Sequence, residues 1–101
     1  TDAYINFKLA QHHLDDEDNN TLEVFVSTDF DGTNVTTAIW EKQNVAVPGE
    51  DIPWYAFQDV GLIDVSSYSG NLYVAFKYVG SGTDTSLDGG YFVDDVLFLK
   101  K

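Results

Sequence analysis

Two aspartates sit side by side in an otherwise apolar run, "YFVDDVLFL" at residues 91–99. Carboxylates in such a place can act as an acid/base pair, accept backbone N–H groups or hold a metal. An extended chain excludes the first. Adjacent strand residues point to opposite faces, whereas two carboxyls working on one glycosidic bond must converge at ~5–9.5 Å. With Val96 and Phe98 facing a core, Asp94 shares their side and Asp95 points away. An inward carboxylate needs a partner, because an isolated buried charge is costly, and the chain has only five Lys or Arg. Calcium takes hard oxygen ligands of this kind. The expectation is a structural calcium site at Asp94 and Asp95, joined by Asp88 from the preceding turn. The alternative is a carboxylate that accepts N–H groups from a neighbouring loop.

The other acidic clusters, "LDDEDNN" (14–20) and "STDFDGT" (27–33), do not fit a calcium-binding EF-hand loop. Counting from Asp29 puts Asn34 where that loop needs Gly and Trp40 where it needs Glu. Counting from Asp16 puts Thr21 and Ser27 there. Both read as solvated loops, with Asp29 and Asp31 setting a turn. His12 and His13 are neighbours that point apart if extended, and with no third His zinc is not expected. In "IPWYAF" (52–57), Trp54 and Tyr55 fall in a Pro-flanked connection rather than a regular strand. Exposed rings of this kind can stack on the C–H faces of sugars. Trp40, Tyr78 and Tyr91 are further candidates, and the structural alternative is that these rings plug the end of a sandwich. No Gly-x-Ser-x-Gly, P-loop or dinucleotide fingerprint is present, and there is no Cys nucleophile.

The elements that must position these residues are strands. Polar–apolar alternation runs through 3–10, 21–27, 37–47, 71–79 and 91–99, with shorter β-like pieces at 53–60 and 62–68. Turn-rich joints separate them: "DDEDNN", Asp31-Gly32, "PGEDIP" between the two prolines, "SGN" and "GSGTDTSLDGG". The pattern predicts an all-β chain, an antiparallel β-sandwich of jelly-roll type. A jelly roll usually has eight strands, and six or seven are visible, so N-terminal strands are expected to be missing or supplied elsewhere. An edge left uncovered that way invites pairing with another chain.

Length and composition set the limits. The 101 residues, 44% hydrophobic, make one domain with one core, 1–101. The absence of Met points to a segment of a larger secreted protein, and no membrane span or signal peptide is visible. A net charge of −12 leaves no basic footprint for nucleic acid and disfavours acidic polymers. It suits an extracellular module or one that meets divalent cations.

The motif order "TLEVFVSTDFDG", then Trp40, then "IDVSSY", "LYVAFKYVGSG" and the closing "VDDV" resembles the cleaved-adhesin and choice-of-anchor jelly-roll domains of secreted Bacteroidetes-type proteins. These are relatives of carbohydrate-binding and MAM-type sandwiches. The resemblance spans residues 3–99. It implies a non-catalytic extracellular module, secreted or at the cell surface, with calcium held by an aspartate of the closing pair, Asp94 or Asp95. The leading expectation is a module that binds a polysaccharide or a surface protein, with Trp54, Tyr55, Trp40 and Tyr91 as ligand contacts. A spacer without a ligand, or a protein-adhesion module, comes second and an enzyme third.

Overall fold

The structure, a computed structural model, describes Asp2–Lys100; Thr1 and Lys101 of the expected module lie outside these residues. Strand β1 (Ala3–His12) buries Ile5, Phe7 and Leu9 on one face and turns Tyr4, Asn6 and Lys8 to the other. Strand β2 (Thr21–Ser27) buries Leu22, Val24 and Val26 in the same way. Each strand is the centre of an antiparallel sheet. In the first sheet, β7 (Gly90–Lys100) pairs along the whole of β1, while β4 (Gln58–Asp59) and β5 (Ile63–Asp64) share the other edge of β1. In the second, β2 lies between β3 (Glu41–Gln43) and β6 (Tyr73–Val79). The two buried faces meet in one core, completed by Ile63 and Val65, with Phe7 edge-on to Phe76 at 5.1 Å. The shortest extent of the molecule, 18 Å, fits two sheets ~10 Å apart with their outer side chains. The fold is therefore all-β, antiparallel and sandwich-like.

The third expected strand, 37–47, shrinks to the three residues of β3. Side-chain caps fix the preceding loop, and one of them, on Ile39, takes a group from the start of the expected ladder. Asp31 Oδ1 accepts the N–H groups of Thr33 and Asn34, Asp29 Oδ1 accepts that of Ile39, and the indole of Trp40 donates to Val35 O at 2.9 Å. Trp40 is consequently a loop residue.

One end of the molecule is fastened by Asn20, which is fully buried. Its amide donates to Val79 O at 3.0 Å and to the Tyr78 hydroxyl at 3.2 Å, and its Oδ1 accepts Gly89 N–H at 2.8 Å. The start of β2, the end of β6 and the approach to β7 are thus tied to one side chain. Gly89 suits the place because a Cβ there would sit 2.9 Å from both Asn20 Oδ1 and Leu14 Cα.

Candidate functional site

The paired aspartates lie on a β-bulge. Asn6 is opposite Leu97 and Lys8 opposite Asp94, so Asp95 and Val96 together face Phe7. Asp95 adopts φ +54°, the left-handed region, and its N–H is accepted by Asp94 Oδ1 at 2.8 Å. An extra residue reverses the alternation of faces beyond it. Phe98, opposite Ile5, is on the core side, whereas Asp94, opposite Lys8, is on the outer side. The expectation that Asp94 points inward with Phe98 is corrected accordingly. Both carboxylates are exposed, and Asp95 pairs with Lys8 at 3.2 Å. Asp88 lies just after the 3-10 turn Thr85–Leu87 and is exposed. Among the described residues no group of three or more His, Cys, Asp or Glu converges as a metal would require.

A different cluster forms on the outer face of the first sheet. Beyond Leu9 the alternation of β1 places Gln11 on the core side and Ala10 and His12 outward, opposite Phe92 and Gly90. Gln11 is buried and donates from Nε2 to Ile52 O at 2.6 Å and Gly49 O at 3.3 Å, while its backbone carbonyl accepts Tyr55 N–H at 2.9 Å. One residue of β1 thus anchors the whole 49–55 connection. The turn there closes from Ala56 N–H to Pro53 O, and Tyr55, its third residue, has φ +63°. That position ordinarily belongs to Gly or Asn. A tyrosine held there carries backbone strain of about 1–2 kcal/mol.

The outcome is a continuous strip of rings. Tyr55 stacks on His12 at 5.6 Å with an interplanar angle of 6°, and both meet Phe92, at 5.7 and 5.3 Å. Phe57 extends the strip at 6.4 Å from Phe92. At the other end His13 lies against Trp54 at 4.0 Å. The two histidines are joined by an Nδ1···Nδ1 hydrogen bond of 2.7 Å, so one ring carries the proton that the other accepts. Trp54 is 51% and Tyr55 56% exposed. The His12 ring lies directly over Gly90, where any Cβ would collide with Nε2.

Of the four expected ligand contacts, Trp54 and Tyr55 come together and Trp40 and Tyr91 stand apart. Trp40 packs on Phe30 at 5.4 Å in the 28–40 loop, beside the second sheet. Tyr91 is opposite Gln11 on the core side, half-buried against the core, and burial pushes its phenol above the usual tyrosine range. Tyr78 serves the fastening at Asn20, donating to Gly89 O at 2.6 Å. His12, His13, Phe57 and Phe92 escaped the sequence reading. Neighbours in extended backbone point apart, but His13 has φ +56°, and that turn brings both rings to one side.

None of the described residues forms a helix long and apolar enough to cross a membrane. Comparison with known protein families, with curated proteins and with solved structures finds no match for this chain.

Proposed function

We propose that this chain is a non-catalytic module of a secreted or surface protein that binds a neutral polysaccharide along the outer strip of rings. The observation that carries the reading is the exposure of Trp54 and Tyr55 within one continuous strip, built on β1 and β7 and held in a strained turn. Strain kept at a Gly-type position is a pointer to function, since a glycine there would relieve it. Stacking on sugar C–H faces needs no ionic partner. It therefore suits a chain whose net charge of −12 repels acidic polymers and nucleic acid. In this reading the sandwich is a jelly roll of the cleaved-adhesin type. Calcium in this reading would be held at the closing pair, Asp94 or Asp95; Asp88, before the start of β7 and six residues from Asp94, does not reach that pair.

Affinity electrophoresis against neutral and acidic polysaccharides, run in calcium and again in EDTA, tests the proposal. Retardation by a neutral glycan is expected, with loss of it in Trp54→Ala and no change in that variant's melting curve. Retardation by no glycan would overturn the binding role. A melting temperature unaffected by EDTA would remove calcium from the reading. Protein adhesion is the second reading, favoured by the exposed apolar side chains of β7.

A further inference from the structure

Strand β7 has one partner. Among the described residues it pairs only with β1, so along its eleven residues the other edge presents unpaired N–H and C=O groups. It is also apolar on both faces. Val93 and Phe98 lie on the core side and Phe92 and Leu97 on the outer side, yet all are exposed, Phe98 at 64% and Leu97 at 50%. Natural edge strands are usually short or heavily charged. This one is long, and its charge is confined to the bulge at Asp94 and Asp95 and to its end at Lys100. On the core side a cleft of about 320 Å³ opens beside Phe98, walled by Ala3, Val65 and Leu72.

We propose that this edge is a docking site for one extended segment donated by another polypeptide, apolar on both faces and bearing Lys or Arg opposite Asp94 and Asp95. Three observations select that occupant. The first is area. Taking ~150–250 Å² for a fully exposed large side chain, Phe92, Val93, Val96, Leu97 and Phe98 leave roughly 500 Å² open. A standard interface between folded proteins needs about 800 Å² on each side. On the strand itself this area suits one extended segment, whose backbone hydrogen bonds with the free edge supply the rest of the affinity. The second is charge. Two carboxylates at the middle of the edge face one cation, Lys8, and a second copy would bring another −12 to the contact. The third is shape, because Val93 and Phe98 on the core side and Phe92 and Leu97 on the outer side offer apolar neighbours to both faces of a strand laid along the edge.

The test uses three synthetic eleven-residue peptides with the whole chain. One alternates valine and leucine, so that both faces are apolar, with two central lysines. The second carries glutamates in place of the lysines, and the third has proline at every second position. Binding is read by fluorescence anisotropy and located by amide chemical shifts. The lysine peptide should bind, with shifts gathered on residues 90–100. The glutamate peptide should bind about tenfold more weakly, since like charges oppose across a strand pair, and the proline peptide not at all. Leu97→Lys, an exposed outward position, should weaken the lysine peptide without lowering the melting temperature. Binding by none of the peptides, equal binding by all three, or shifts on β6 would overturn the proposal. Sedimentation equilibrium showing a dimer that Leu97→Lys dissolves would overturn it too, in favour of a second copy on this edge.

Discussion

Tyr55 gives up backbone comfort for the position of its ring. Its left-handed φ costs the fold, and its return is a parallel stack on His12 and a contact with Phe92. Substitution separates the two effects. Tyr55→Gly removes the strain, worth about 1 kcal/mol at such a position, and removes the ring as well. The variant should melt no lower than the parent in a thermal scan while losing retardation by any glycan that the parent binds. A clear fall in melting temperature would show that the ring is held for packing. Gly90 belongs to the same arrangement, since its missing Cβ is the space in which the His12 ring rests. Trp54 and Tyr55 could be picked out in the sequence because prolines at 48 and 53 mark their segment as a connection. The imidazoles could not, because a left-handed His13 leaves no trace in residue type.

Strands β1, β2, β6 and β7 follow alternation closely enough for the sequence to place them within a residue or two. What alternation could not supply is the bulge. One extra residue at Asp95 reverses the phase of β7, and nothing in "VDDV" says that the second aspartate is left-handed. For the same reason the facing of Asp94 came out reversed. The expected strand at 37–47 is lost at its start for a local reason, since Asp29 accepts the Ile39 N–H, a group that a ladder would have used. The joint between elements at Asn20 also has a measurable consequence. Asn20→Ala deletes three hydrogen bonds and strands buried partners, each lost group costing ~1–3 kcal/mol. Chemical denaturation should show a loss of several kcal/mol, and proteolysis should begin at the 80–89 loop. A loss under ~1 kcal/mol would mean that water replaces the amide without penalty.

For the molecule as a whole, acid is the informative stress. Hydrogen bonds hold several carboxyls below their usual range: Asp29 through Ile39 N–H, Asp31 through Asn34 N–H, Asp59 through the Asn6 amide, and Asp64 and Asp84 through Ser66 and Ser86. Lys42 does the same for Glu23. A folded-state value below the unfolded one means that the unfolded chain binds more protons. These groups therefore contribute stability above ~pH 4, and it drains away as pH falls through their folded values. Asp31→Ala should lower the melting temperature at pH 7, and the gap between variant and parent should close below pH 4. Both proteins should be compared at ~0.15 M salt, where a Debye length of ~8 Å mutes the repulsion of the −12 charge. A gap that persists unchanged at pH 3 would mean that Asp31 acts through something other than its ionised carboxylate.

Ala3 lies opposite Lys100, and His12 lies opposite Gly90 at the far end of the same pair of strands. Both ends of the described chain thus leave from one side of the molecule, and the rings sit a strand's length away, ~30 Å for ten residues. Tension between a ligand held at the rings and an anchor at either terminus would run along the covalent backbones of β1 and β7. Tension between the two termini would instead open the β1–β7 ladder one hydrogen bond at a time from Ala3 and Lys100. The same pair of strands would thus resist load applied between a terminus and the ring strip along its whole length, and load applied between Ala3 and Lys100 only one rung at a time.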